Sequence, residues 1–384
     1  MKRGIATFTL DTGKCPKWLF ERMVKLGREI IQVLVAEYGP EEFIRRIADP
    51  VWFQSLGTVL AFDWNASGLT TTLTAALKEA IRFQEKDLGI FICGGKGRTS
   101  MKTPSQIMEW SNRLSLPDSH GKNLVYNSRM SAKVDSSLVQ DGFQLYHHSF
   151  FFTASGAWAV VQQGMNKEKR AARRYHWSSD NVKDLIQEPH TGIVSDPLKK
   201  APTLDMTSRV SGKNRDISLE MVSAGYNTLM KDVQLLRKHS SKLSRMASFK
   251  IAENQLTLLE LSDTEFHHHP VVSEDFSRSR YLEKILYLLC DKKPSSYENL
   301  LATKGVGPKT VRALSLVSEI IYNAPASYRD PARYSFAHGG KDGTPYFVDK
   351  KTYDQNIEIL RKAVLRTRIS PTEKNKIISR LSPT

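Results

Sequence analysis

Cysteine is scarce in this 384-residue chain: Cys15, Cys93 and Cys290 lie far apart, with no C-x-x-C among them. That spacing excludes a disulfide framework and a cysteine zinc site. No apolar run reaches the roughly 18 residues of a spanning helix. The opening Met1-Lys-Arg-Gly-Ile-Ala-Thr-Phe lacks the apolar core of a signal peptide. A cytoplasmic protein with no membrane partner is therefore expected. Internal repeats are missing too. Acidic residues are the other shortage: 40 Asp and Glu face 56 Lys and Arg, leaving a net charge of +16. This excess is more than solubility requires. It points to a polyanionic partner, DNA first, and to a nucleoid-associated location; a basic ribosome-associated or membrane-surface protein is the blander alternative.

The length admits two or three domains. Helical periodicity runs from Trp18 to Tyr38 and from Glu41 to Ile47, then from Thr71 to Gln84 and from Thr103 to Leu114. Leu88 to Cys93 reads as a buried strand discharging into a basic glycine loop, Gly94-Gly-Lys-Gly-Arg. The loop fails the Walker A spacing, yet Lys96 beside these glycines could hold an anion. Ser128 to Phe152 and Trp158 to Met165 read as strands paired across a turn at Ala154-Ser-Gly, with polar side chains interrupting them. On such a strand Gln144, Tyr146 and His148 share a face. Pro, Lys, Ser and Thr predominate near 196–216, and long helical patterns follow from Ser218 to Lys238, Tyr281 to Cys290 and Lys350 to Arg366. The expected organisation is an α+β or α/β domain over 1–195, a linker over 196–216, and a mostly helical DNA-binding domain over 217–384.

The most informative stretch is Tyr297-Glu-Asn-Leu-Leu-Ala-Thr-Lys-Gly-Val-Gly-Pro-Lys-Thr-Val-Arg. Ser295 and Glu298 have the spacing of a capping box. Gly305 and Gly307 permit a tight turn, and Pro308 suits the first position of a second helix. The N–H groups at that helix start have no partners of their own. Lys304, Lys309, Thr310 and Arg312 flank them, so a phosphate can dock there. The stretch resembles the helix-hairpin-helix motif of DNA repair proteins, matching its L-x-x-x-x-G-V-G-x-K pattern through Lys309, over 295–321. The resemblance implies a grip on the DNA backbone without sequence readout.

Cutting a phosphodiester calls for metal-held carboxylates or an acid–base pair beside cations. Asp135, Asp141, His148, Gln163, His176, Glu188 and His190 supply that inventory within one span. Asp135 and Asp141 are the candidate ligands of a Mg²⁺ or Mn²⁺ ion. His148, His176 or His190 would shuttle protons, and Gln163 would orient the phosphate. Arg173 and Arg174, beside Tyr175 and Trp177, combine phosphate partners with stacking surfaces. No P-D…(D/E)-x-K pattern is met. His267-His-His reads as a solvated loop, Asp63 as a cap or turn former, and Lys341 with His338 and Asp342 as an accessory phosphate site or a tight turn.

The whole chain also resembles an archaeal and bacterial family known as a domain of unknown function, DUF763. Lys14-Cys-Pro-Lys-Trp, Phe62-Asp-Trp-Asn-Ala-Ser-Gly, Gln144-Leu-Tyr-His-His, Val160-Val-Gln-Gln-Gly-Met, Arg174-Tyr-His-Trp and Phe336-Ala-His-Gly-Gly-Lys-Asp-Gly carry the resemblance. It implies that both halves form one machine, with DNA repair as the setting, and it assigns no catalytic residue. The expected function is a metal-dependent nuclease acting on damaged, single-stranded or branched DNA. Two alternatives stand beside it. One follows from the resemblance to helix-hairpin-helix glycosylases and uses Lys309 and Asp330, although Tyr328-Arg-Asp-Pro departs from their aspartate context. The other is a non-catalytic DNA-binding adaptor. Repair-protein partners and a homo-oligomer are left open.

Overall fold

The computed structural model describes residues 15–60, 66–195, 203–239, 248–251, 254–257, 279–332, 350–367 and 370–375. Asp63, Asn65, His267 to His269, His338, Lys341 and Asp342 lie outside them.

Apolar residues at helical spacing build the first layer. In α1 (Lys17–Tyr38), Met23, Gly27, Ile30, Ile31 and Leu34 make the buried stripe. Prolines open α2 (Pro40–Ala48) and α3 (Pro50–Val59), where the missing N–H costs nothing. Asp49 caps α3 by accepting from the Val51 and Trp52 amides. Next come α4 (Ala66–Ala80) and the single turn α5 (Glu85–Leu88). Helix α3 runs through Gly57 to Val59.

The sheet has five strands in the order β1-β3-β4-β5-β6, antiparallel throughout. They are β1 (Phe91–Lys96), β3 (Gln144–Phe152), β4 (Trp158–Asn166), β5 (Ala171–Ser178) and β6 (His190–Ser195). Between β1 and β3 lie a 3-10 turn, α6 (Thr103–Arg113), α7 (Asp118–Ser137) and β2 (Val139–Gln140). Parity divides the sheet's side chains. Phe151, Ala159 and Val161 pack into the core under α1 to α4, while Phe150, Phe152, Trp158, Val160 and Trp177 face the opposite core. With both faces covered, β5 is buried along its whole length, arginines included. The fold is therefore mixed α+β, with no parallel strand pair among the described residues.

Beyond α7, the second core runs without a break into the C-terminal helices. These are α8 (Gly212–Ser223), α9 (Tyr226–His239), α10 (Arg280–Lys292), α11 (Tyr297–Ala302) and α12 (Pro308–Ile320). One long helix was expected from Ser218 to Lys238; Gly225, at φ +100, divides it. The expected linker over 196–216 needs correction across its described part. Strand β7 (Leu204–Asp205) pairs with β2, and Thr203, Met206, Asn214 and Arg215 are buried. Strands β8 (Ser248–Ile251) and β9 (Asn254–Thr257) form a small hairpin. Helix α13 (Lys350–Arg366) returns to the first layer, with Ala363 and Val364 in the α1–α4 core and Arg366 paired with Glu37.

Candidate functional site

Helix α7 carries the central feature. Ser128, Ser131 and Asp135 fall at i, i+3 and i+7, so one helical face delivers all three to the sheet. Asp135 was expected on a strand. The helix instead presents it, fully buried, to three donors: Gln162 Nε2, Trp177 Nε1 at 3.1 Å, and His190 Nε2. Donor logic then orders a chain of hydrogen bonds. Gln162 spends its N–H groups on Asp135 and the Ser131 carbonyl, so its Oε1 accepts from His148 Nδ1 at 2.7 Å. His148 Nε2 is left to accept from the Ser128 hydroxyl at 2.9 Å. Burial lowers His148 from its ordinary value, while Gln162 and Asp135 pull against that shift.

His190 ends this chain at the start of β6, with its side chain 8 % exposed. Its Nε2–H points at Asp135, which leaves Nδ1 as the lone pair. That atom has no hydrogen-bond partner among the described residues and is not sealed from solvent. The Trp177 ring stands edge-on to the imidazole, centroids 4.8 Å apart. An imidazole whose tautomer is fixed by a buried carboxylate and whose other nitrogen meets solvent can take and return a proton.

A second cluster joins Asp141 to the C-terminal part. Asp141 accepts from the Phe143 amide, from Arg173 Nη1 at 2.8 Å and from the Tyr175 hydroxyl at 2.7 Å. Arg173 Nη2 also reaches Asp330 at 2.7 Å. Burial pushes the Asp141 carboxyl up, and Arg173, the Phe143 amide and Tyr175 oppose it. For Arg173 burial works the other way, yet Asp141, Tyr175 and Asp330 outweigh it and its net displacement is upward. The expected roles change accordingly. Arg173 is a buried tie, not a DNA contact, and Asp330 belongs to Arg173. No hydrogen bond or ion pair joins Asp330 to Lys309 among the described residues.

The opposite sheet face holds the rest of the expected set. A bulge between Leu145 and His147 sets both Tyr146 and His147 against Gln163, which breaks the even parity expected for Tyr146 and His148. His147, Gln163 and Arg174 lie in one cross-strand row. Gln163 donates to the Ser67 carbonyl and to Tyr146, whose ring lies 6.0 Å from the exposed Lys96 ammonium. Thr74 donates to the Thr70 carbonyl and so accepts from His147 Nε2 at 3.1 Å. His176 Nδ1 donates to the Ile47 carbonyl at 3.2 Å. The lone pairs left over, His147 Nδ1, His176 Nε2 and Gln163 Oε1, are buried with no partner among the described residues. Burial, reinforced by His148 and Lys96, takes His147 down to about 3; burial and Arg174 take His176 well below its ordinary value. Arg174 is fully buried, bonded to Gln54, Thr70 and the Pro50 carbonyl. Burial lowers it to about 9, which still leaves it charged near neutrality. It offers DNA no surface. Gln163 and His176 therefore lie across the sheet from Asp135, His148 and His190.

The expected ion site fails a donor test. Asp135 and Asp141 each already accept three hydrogen bonds and belong to separate clusters, so as a pair they do not fit Mg²⁺ or Mn²⁺. No group of three or more His, Cys, Asp or Glu suited to an ion occurs among the described residues. Glu188 pairs at the surface with Arg209, 3.7 Å away.

The 295–321 stretch forms α11 and α12 around a five-residue loop. The cap is Ser296, accepting from the Asn299 amide at 3.1 Å, one residue after the expected Ser295. Glu298 instead receives the Tyr126 hydroxyl. Gly305 sits at φ +92, a conformation that side-chain-bearing residues rarely adopt, and a Cβ there would lie 2.4 Å from the side-chain end of Ile285 and push it aside. Gly307 caps α12 in extended backbone, with nothing within 4 Å of where its Cβ would be. Lys304, Pro308 and Lys309 around it are exposed, whereas Thr310 is buried. Arg312 is half-buried, its Nε on Gln140 Oε1 at 2.6 Å. Helix α7 holds this hairpin as well: Lys133 Nζ donates to the Thr303 carbonyl at 2.8 Å, and Gln140, just beyond the helix, to the Pro308 carbonyl at 2.9 Å. Sequence reasoning did not find Ser128, Gln162 or the Asp135–His190 contact. The i, i+3, i+7 spacing of Ser128, Ser131 and Asp135 was the available signal.

The model of the family described as "Protein of unknown function (DUF763)" matches residues 4–348, so the chain belongs to that family. No curated protein and no solved structure matches it. Among the described residues, no helix is long and apolar enough to cross a membrane.

Proposed function

We propose that this DUF763 protein is a DNA-processing enzyme of repair or recombination, a phosphodiester hydrolase that grips the backbone through a helix-hairpin-helix formed by α11 and α12. The observation that carries the reading is the open start of α12. Gly307 leaves the first amides uncovered, Lys304 and Lys309 stand exposed beside them, and the chain as a whole carries +16. A phosphate there meets unpaired N–H groups, the positive end of a 13-residue helix and two ammonium groups together.

The chemistry falls to the Asp135–His190 pair. His190 Nδ1 would accept the proton of a water molecule as it attacks phosphorus and return it to the leaving oxygen. Asp135 fixes the tautomer and steadies the imidazolium between these steps. Trp177 and Gln162 hold the carboxylate in place by their own N–H groups. His190 is the catalytic residue of this account, and Asp135, Gln162 and Trp177 are positioning residues. No metal step is included, because the carboxylates expected to bind an ion are taken by other donors.

The test is strand scission. Labelled single-stranded, duplex and forked DNA is incubated with the purified protein, with and without Mg²⁺ or Mn²⁺. Cleavage that disappears in His190→Gln while DNA retardation persists is the expected result. Scission only at modified bases would favour base removal instead, and retardation without scission by the unaltered protein would leave a binding protein and end the enzymatic reading.

A further inference from the structure

Two large rings stand in solvent on the helix that faces the hairpin loop. Tyr281 and Tyr287 of α10 are 59 % and 57 % exposed. Single exposed aromatics need no explanation, but these two are held in place. The Tyr281 hydroxyl donates to the Gly305 carbonyl at 3.0 Å, which sets its ring beside Lys304 and the open start of α12. Tyr287 meets the Tyr226 ring edge-on, centroids 5.3 Å apart. The exposed Lys284 lies between them. Steps of three residues carry Tyr281, Lys284 and Tyr287 around the helix as a slanting stripe, spanning about 9 Å along the axis.

Rings and phosphate anchors make different demands on a nucleic acid. A duplex offers its phosphates freely and hides its base faces in its own stack, so it gains little from a tyrosine ring. An unpaired strand offers both. We infer that α10 is a stacking platform for single-stranded DNA, on which Tyr281 and Tyr287 each receive a base while Lys284 and Lys304 pair with the phosphates between. The inference rests on the backbone-binding reading of the hairpin and narrows it to a substrate with an unpaired segment next to the gripped phosphate. Charge complementarity favours this occupant over a protein, for the stripe adjoins Lys304 and Lys309 in a chain of net charge +16.

The experiment compares fluorescence anisotropy on labelled oligothymidine and on a hairpin duplex, for the full chain and for Tyr281→Ala, Tyr287→Ala, Tyr281→Phe and Tyr287→Phe. Each alanine variant should bind oligothymidine roughly 5- to 150-fold more weakly, with duplex binding nearly unchanged. Tyr287→Phe should retain most of the affinity, because the ring and its contact with Tyr226 remain. Tyr281→Phe, which keeps the ring and loses its tie to Gly305, should fall between the unaltered protein and Tyr281→Ala. Thermal melting of every variant separates loss of stacking from loss of fold. Equal weakening on both DNAs, or oligothymidine binding unmoved by either alanine, would overturn the inference. Concentration-dependent self-association that the alanines abolish, with DNA binding intact, would assign the stripe to a protein interface instead. If the unaltered protein binds the duplex well and only the tyrosine effect is missing, this inference fails alone; if it binds neither DNA, the hairpin reading fails first.

Discussion

Acid should unfold this protein earlier than its carboxylates would. His147, His148 and His176 are buried on the two faces of the sheet. Burial is the main cause that holds each below the ordinary imidazole value of 6.5, His147 as far as about 3. In the unfolded chain each regains water and binds a proton as pH drops through 6.5. The unfolded state then holds more protons than the fold, so stability is full above 6.5 and falls as pH is lowered toward the folded values. For a histidine that stays neutral in the fold, the loss between pH 6.5 and 5.5 is about 1 kcal/mol. His147 and His176, the two held furthest down, therefore lose about 2 kcal/mol together, and His148 adds to that. Against a total stability on the order of 5–15 kcal/mol, that is a large fraction. Urea unfolding followed by tryptophan fluorescence, in half-unit pH steps from about 7.5 to 5.5, measures the slope directly. Ordinary carboxylates titrate below this window and contribute little to it, whereas Asp141 and Asp205, raised by burial, take up protons earlier in the fold and partly offset the slope. His176→Gln, which can still donate to the Ile47 carbonyl, should make the slope measurably shallower. An unfolding free energy that stays flat across the window would refute the reasoning.

Other outcomes follow from the same geometry. Asp135→Asn should lower strand scission by roughly 10²–10⁴-fold with DNA affinity unchanged, read by single-turnover cleavage beside anisotropy. Arg173→Leu strands a buried Asp141 and should cost about 3–5 kcal/mol in urea unfolding; adding Asp141→Asn should recover part of that loss, a coupling that a double-mutant cycle detects. Gly305→Ala must accept a positive φ and a 2.4 Å approach to Ile285, so the α11–α12 hairpin should lose about 1–3 kcal/mol, seen as faster hydrogen exchange confined to 281–320.

Much of the fold was legible from periodicity. Helices α1, α2, α6, α10 and α13 follow the apolar spacing of their sequences to within a few residues, and β3 and β4 pair across the turn expected at Ala154. What escaped has physical causes. Helix α7 buries Ser128, Ser131 and Asp135 alongside Leu124, Met130 and Val134, so polar residues interrupt its apolar stripe and the segment reads as a strand with polar interruptions. Strand β5 is covered on both sides; its arginines look like a surface patch until Asp141, Asp330, Gln54 and Thr70 are seen to hold them. The bulge at Tyr146 and His147 inverts a parity that sequence alone presents as regular. Asp135 and His190 are 55 residues apart and meet only through the register of β5 with β6 and the packing of α7. Gly305 was legible because a tight turn between two helices calls for a positive φ, here +92, that side-chain-bearing residues rarely adopt.

The salt dependence of DNA binding tests the backbone grip most directly. Plotted as log affinity against log salt, the slope counts the phosphates neutralised, and Lys304→Ala with Lys309→Ala should flatten it by about two, equally for unrelated sequences. A slope identical to that of the unaltered protein, or no binding at low ionic strength, would contradict the account.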